Sequence, residues 1–415
     1  MRRERFKIQT LPFHVMVKPI GPICNLQCDY CFYLHKSELY SQTSNFRMKD
    51  EVLEHFIQSY IQSQPGPEVS FVWQGGEPTL MGLDFFRKVV ELQKRYIPPN
   101  WRYTNGIQTN GTLIDEEWAR FFKDEQFLVG LSLDGPQPIH DLYRKDQQGQ
   151  GTWQQVVDAF HLLQRYGVDV NILCVVNKEN ASQPLTTYEF MKELGVQYLQ
   201  FIPLVEREVH GRISEKSVTG PLYGTFLINI FNQWILKDIG QVFIQIFEEA
   251  LTIMAGLPAG LCVFRPECGR QLIMEHNGDI YSCDHYVLPE NRLGNIMENS
   301  LESMVNSSFQ RRFGKQKLEL SQECSVCPVL TVCRGECPKN RIDGLNWLCS
   351  GYKQFFSYAE PFLAVILQAL KQGLTAKQAQ STLIKMLDTT WDVKRNDSCP
   401  CLSGLKYKKC CGKPV

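Results

Sequence analysis

The sequence predicts an α/β fold in which short strands alternate with amphipathic helices around a parallel sheet. Two observations carry that reading. Apolar runs of strand length recur between Phe13 and about Pro203, at His14–Lys18, Val69–Trp73, Phe127–Leu133, Val168–Val176 and Tyr198–Ile202. Between several of them, apolar residues repeat at helical spacing: Leu53, Phe56, Ile57, Tyr60 and Ile61 do so, and 117–124 and 153–166 carry the same pattern. Strands joined by helical crossovers of this length run parallel.

Beyond that region the order of elements changes. Residues 205–220 are polar and mixed and read as a boundary, followed by a helical stretch to about Gly256. In 271–282 the pair Asn277-Gly278 separates two short alternating runs, a local hairpin signal. Residues 358–387 read as helix again, and 389–398 form a polar connection to a small tail. The expected domains are therefore 1–205, 206–390 and 391–415.

Composition removes several function classes. With 44 Lys+Arg against 44 Asp+Glu, the 415-residue chain lacks the sustained basic field of a protein that coats nucleic acid or anionic membrane. No apolar stretch approaches a bilayer span, the best being the broken run 362–370. The first residues are charged and lack the apolar region of a secretory signal, so the expected compartment is the cytoplasm. There the 16 cysteines are better metal ligands than disulfides. All but Cys174, which lies in the apolar run 168–176 and reads as a small buried hydrophobe, fall into three groups.

The first group is Cys24-Asn-Leu-Gln-Cys28-Asp-Tyr-Cys31, directly after the first predicted strand. Three thiolates on one tight loop suit an iron–sulfur cluster with one iron left open. A structural zinc would take a fourth ligand, for which His35 is the nearby candidate. This triplet, with Tyr30 before its last cysteine and Phe32 after it, resembles the signature of radical S-adenosylmethionine (SAM) enzymes. Gln74-Gly-Gly-Glu-Pro78 resembles their GGEP motif, whose backbone and carboxylate face the SAM amino group. Thr109-Asn-Gly-Thr112 and Ser132-Leu-Asp-Gly135 end strands, as residues at the mouth of a β/α barrel do. Taken singly, each of these also reads as a turn or a helix cap.

The runs 74–80, 108–114, 129–136, 139–146 and 171–176 are similar to those of anaerobic sulfatase-maturating enzymes. The resemblance implies a partial (β/α)6 TIM-type barrel as radical SAM core, then a SPASM iron–sulfur domain. It also implies SAM contacts from Tyr30, Gly76, Ser132, Arg144 and Val205, and substrate contacts from Tyr33 and Gln74. Read without it, Arg144 is an ordinary surface cation.

The second group comprises Cys262, Cys268, Cys283, Cys324, Cys327, Cys333, Cys337 and Cys349. Eight thiolates serve two fully ligated clusters or two structural zincs, and residue types alone do not choose. The resemblance implies two auxiliary [4Fe–4S] clusters, one on Cys262, Cys268, Cys283 and Cys337, the other on Cys324, Cys327, Cys333 and Cys349, making three such clusters with the first group. It makes Asp284, beside Cys283, the base that removes a proton. Without it, Asp284 reads as a turn or hydrogen-bonding aspartate, and His285 competes for the role.

The third group, Cys399, Cys401, Cys410 and Cys411, places four thiolates in a segment too short to bury a core, which points to a small zinc-binding tail. It resembles the SEC-C motif. Six basic residues against one acidic from Lys394 onward suit either an acidic partner or a merely solvated tail.

The function the resemblance implies is oxygen-independent oxidation of a Cys or Ser side chain in a sulfatase polypeptide to Cα-formylglycine. An electron donor such as flavodoxin or ferredoxin is implied with it. A peptide maturase of the same architecture that makes thioether or other crosslinks would share all eleven cluster cysteines. A non-catalytic metal-binding adaptor would need only the tail.

Overall fold

The computed structural model describes residues 11–40, 45–208, 211–390, 394–397 and 406–409. Its contacts gather into two compact units. One comprises 1–132, 141–170 and 267–318, and the other 133–140, 171–266 and 319–415. The boundary expected near 205 thus falls inside the second unit.

The strand–helix alternation is present. In the first unit β1 (His14–Lys18), β2 (Glu68–Trp73), β3 (Arg102–Thr109) and β4 (Phe127–Ser132) are neighbours in that order and parallel. In the second, β5 (Asp169–Val176), β6 (Tyr198–Pro203) and β7 (Phe243–Ile244) form a parallel strip. The first unit resumes with β8 (Gln271–Glu275), β9 (Asp279–Tyr281) and β10 (Arg292–Asn295). Here β8 lies parallel to β1, while β9 and β10 return antiparallel. The expected hairpin is therefore β8–β9, turning at Asn277-Gly278. Strand order is open in both units.

The helix Asp50–Ser63 shows why these crossovers form. Asp50 and Glu51 in its first turn complement the helix dipole. Val52, Leu53, Phe56, Ile57, Tyr60 and Ile61 form a buried stripe. Phe56 packs on Tyr60 and stands edge-on to Phe71 and Trp73 of β2, which fills the core behind the sheet.

Only the motif beginning at Thr109 marked where a strand ends, and the apolar pattern did not disclose β3 itself. Its sequence, Arg-Tyr-Thr-Asn-Gly-Ile-Gln-Thr, has too few apolar residues to read as a buried strand. The structure buries Asn105 by satisfying it: its Oδ1 accepts from Trp73 Nε1 and Gln93 Nε2, and its Nδ2 donates to Gln93 Oε1, all within 3.0 Å.

In the second unit the helix expected over 358–387 is two helices, Cys349–Lys371 and Ala376–Thr390, broken at left-handed Gly373. Among the described residues no helix is long and apolar enough to cross a membrane. Cys399, Cys401, Cys410 and Cys411 lie outside the described residues.

Candidate active site

The carboxyl ends of β1, β2, β3 and β4 share one edge of the first unit, and the first cysteine loop leaves β1 there. Cys24, Cys28 and Cys31 form no disulfide, and each is partly exposed. Burial is the chief cause that pushes the Cys24 thiol up to about 12, opposed by the Leu26 N–H, with Glu77, Cys28 and Cys31 pushing the same way as burial. A thiol raised in this way becomes a ligand only by giving its proton up to a metal, so binding releases protons. The donor set of three soft thiols on one loop fits an iron–sulfur cluster with an open iron. Among the described residues no three His, Cys, Asp or Glu are gathered as for a single ion.

Neighbouring loops fix the cysteine loop from three sides. After β2, the Gly76 and Glu77 N–H groups donate to the Gly21 and Ile23 carbonyls, both at 2.8 Å. A Cβ on Gly76 would lie 1.9 Å from the Ile23 carbonyl oxygen, so the two backbones meet only because Gly76 has no side chain. After β3, Asn110 Nδ2 donates to Asn25 Oδ1 at 2.9 Å, and Asn25 Nδ2 to Thr112 at 2.8 Å. From 143–147, Gln147 Nε2 donates to the Cys24 carbonyl, and the Lys145 and Tyr143 carbonyls accept from the Gln27 and Asp29 N–H groups.

Glu77 stands at the junction of these supports, fully buried. Oε1 accepts from the Thr79 N–H and hydroxyl and from the Thr109 hydroxyl, and Oε2 accepts from the Asn110 N–H. Burial raises its carboxyl pKa, and these hydrogen bonds oppose the rise. Four accepted bonds use the capacity of a carboxylate. Here Glu77 braces the loops through both carboxylate oxygens.

The residues expected to contact SAM are placed as follows. Tyr30 is buried, edge-on to Tyr143 with centroids 5.8 Å apart, and the Arg144 guanidinium lies 5.5 Å from its ring centroid. Arg144 is 8% exposed, so it is no surface cation. Ser132 ends β4 and its hydroxyl accepts from Gln108 Nε2 at 3.0 Å. Gly76 belongs to the loop contact just described. Val205 is in the second unit, buried, with its carbonyl accepting from Lys339 Nζ at 2.8 Å.

Asp284 and Tyr33 are brought to the cysteine loop within the first unit. Phe32, which follows Cys31, packs on His285, which follows Asp284, at 5.4 Å between centroids. Lys18, the last residue of β1, pairs with Asp284 Oδ1 at 2.7 Å and lies 4.4 Å from the Tyr33 ring centroid. The Tyr33 hydroxyl donates to the buried carboxylate of Glu275, the register partner of Lys18. Burial first, then Glu275 and Asp284, push the Tyr33 pKa well up, which keeps it a phenol that donates. Its hydroxyl is thus already engaged, whereas Gln74 is half-buried beside the glycine pair and its N–H donates to the Val17 carbonyl.

Lys18 and Glu275 were missed from sequence. The available signal was a charged residue ending an apolar strand run, which when buried requires a partner.

In the second unit Cys324, Cys327, Cys333 and Cys349 act on one another electrostatically. Burial foremost, with neighbouring thiols adding, pushes Cys333 up to about 12 and raises Cys349. Short helices Gln322–Ser325 and Leu330–Cys333 and the start of helix Cys349–Lys371 carry them. Of the other expected set, Cys268 and Cys283 belong to the first unit and Cys262 and Cys337 to the second.

Comparison with known proteins agrees with this chemistry. Residues 19–191 match the radical SAM superfamily, 262–328 an iron-sulfur cluster-binding domain (SPASM), and 395–413 the SEC-C motif. The chain is 42% identical over 399 residues to a serine-type anaerobic sulfatase-maturating enzyme of Bacteroides thetaiotaomicron, covering 91% of this chain and 95% of the relative. It is 38% identical over 373 residues to a cysteine-type enzyme of Clostridium perfringens, covering 87% and 100%. The solved structure of native anSMEcpe with bound AdoMet and Cp18Cys peptide superposes with a TM-score of 0.80 at 36% identity, covering 87% of this chain and 100% of that one. Three thiols on a braced loop, a SPASM segment and near full-length identity converge: the chain belongs to the anaerobic sulfatase-maturating enzymes, radical SAM enzymes that use iron–sulfur clusters and SAM.

Proposed function

We propose that this enzyme oxidises the Cβ of a Cys or Ser side chain in a sulfatase to Cα-formylglycine, with Cys24, Cys28 and Cys31 holding the radical-generating cluster and Asp284 acting as base. The observation that carries the proposal is the packing of Phe32 on His285, which joins the cysteine loop to the Asp284 turn within one compact unit. That packing supports reading the cysteine loop as radical source and the adjoining carboxylate as proton acceptor.

When bound, the clusters and SAM supply what side chains lack: a radical that takes one Cβ hydrogen, and an acceptor for the electron lost in the second oxidation. Asp284 receives the thiol or hydroxyl proton as the carbon–heteroatom double bond forms. From Cys the product is a thioaldehyde, which water converts to the aldehyde and hydrogen sulfide. Tyr30, Gly76, Ser132, Arg144 and Val205 orient SAM, and Gln74 and the Tyr33 ring bound the substrate side. The auxiliary clusters take the two SPASM cysteine sets, a flavodoxin- or ferredoxin-type protein supplies electrons in the cytoplasm, and the tail cysteines bind zinc, their basic surroundings suiting an acidic partner.

The test is anaerobic incubation of the cluster-reconstituted protein with SAM, a reductant and peptides carrying Cys-x-Pro-x-Arg or its Ser form, read by mass spectrometry. Formylglycine should appear and be lost in Asp284→Asn. Formation of 5′-deoxyadenosine with both peptides intact would overturn the substrate assignment.

A further inference from the structure

Asp284 Oδ1 is buried and has no hydrogen-bond donor of regular geometry. Its compensation is the Lys18 ammonium at 2.7 Å. The two partners differ in exposure: the Lys18 side chain is 1% exposed and that of Asp284 19%. Because Oδ1 is covered, the accessible part of Asp284 comes from its other atoms.

Lys18 is unusually well placed to impose this arrangement. Its backbone is in register with β8 through Lys18↔Glu275, and β1 is paired on its other side with β2. The ammonium also lies over the Tyr33 ring, and the Tyr33 hydroxyl is held by Glu275. The Asp284 turn is tied separately, by Lys36 Nζ donating to the Val287 carbonyl at 2.8 Å. A lysine with its stem buried along a strand has lost the rotamers that make exposed lysine pairs weak.

We propose that Lys18 is a positioning residue for the base: it captures Oδ1 of Asp284 and so leaves Oδ2 as the oxygen that takes the substrate proton. The inference rests on the reading of Asp284 as base. It assigns Lys18 no part in forming the radical, only in the aim of the carboxylate. An oriented acceptor matters here because the proton must leave while the carbon radical persists.

The experiment compares Lys18→Met and Lys18→Gln with Asp284→Asn and the Lys18→Met/Asp284→Asn double variant, each as reconstituted holoenzyme with iron content verified. Two quantities are read with a Cβ-dideuterated Cys peptide: deuterium delivered to 5′-deoxyadenosine, and aldehyde formed per deoxyadenosine. In the Lys18 variants deuterium transfer should remain within about threefold of the unaltered enzyme, while aldehyde per deoxyadenosine falls roughly tenfold or more. The double variant should be no worse than Asp284→Asn alone, because both changes disable one device. An unaltered ratio in either iron-loaded Lys18 variant overturns the proposal, as do multiplicative losses in the double variant. Loss of iron from both Lys18 variants also overturns it, making Lys18 structural. If Asp284→Asn itself keeps the ratio, the base assignment fails, an outcome distinct from a neutral Lys18 result.

Discussion

Oε2 of Glu77 accepts the backbone N–H of Asn110 at 2.7 Å, and the same Asn110 reaches Asn25 beside Cys24. A carboxylate that never touches a thiol therefore governs the loop that carries one. Glu77→Gln keeps the shape but turns a donor toward the Asn110 N–H. One stranded buried donor costs about 1–3 kcal/mol. Denaturant unfolding of the metal-free chain should register that loss, and iron retained after gel filtration should fall; unchanged values in both would refute the bracing role.

Gly76→Ala is expected to be more damaging than its size suggests, because the new methyl would lie 1.9 Å from the Ile23 carbonyl oxygen. Forcing the two loops apart costs about 1–3 kcal/mol or more. It should also break the Gly76-to-Gly21 hydrogen bond that anchors the segment before Cys24. The measurement is cluster absorbance after reconstitution, which should drop well below that of the parent. Gly106→Ala is the control, since its added carbon would meet only the Leu128 carbonyl oxygen at an ordinary 3.8 Å and its φ is not positive.

The metal-free, reduced chain should lose stability in alkali. Burial lifts Cys24 and Cys333 from 9.0 to about 12 in the folded state. A group raised on folding contributes stability that is complete below its unfolded pKa and is withdrawn as pH climbs through the folded one. For these thiols the window runs from pH 9 to about 12, and the buried phenols of Tyr33 and Tyr60 add to it above pH 10. Melting temperatures at pH 8, 9.5 and 11 should fall steadily, and a flat profile would contradict burial of these thiols.

Asn105→Ala should destabilise without touching the site. It strands Trp73 Nε1 and the Gln93 amide, at about 1–3 kcal/mol for each buried donor left unpaired. Thermal unfolding of the metal-free protein measures this, with Asn105→Asp as the comparison that keeps one acceptor.

Most of the fold was legible because its strands bury about every second residue, and those positions are mostly apolar and β-branched or aromatic. The body of β3 was not legible as an apolar run, although the Thr109 motif marked its end. Asn105 is admitted to the interior by partners on β2 and on the helix that follows β2, which no local window contains. The break at Gly373 was likewise hidden inside a helical pattern that continues on either side. For the site, the cysteine spacings and the glycine pair were visible as motifs, because metal ligation and close backbone approach impose residue type at fixed intervals. Lys18 and Glu275 left no such trace: their partners, Asp284 and Tyr33, are distant in sequence, and only the β1–β8 register brings them together.

That register makes β1 a common mount. The strand is clamped by ladders on both flanks, its end issues the cysteine loop, and its last side chain holds Oδ1 of Asp284. Loop and carboxylate therefore hang from one rigid rod, and a slip of β1 against β8 would disturb both at once.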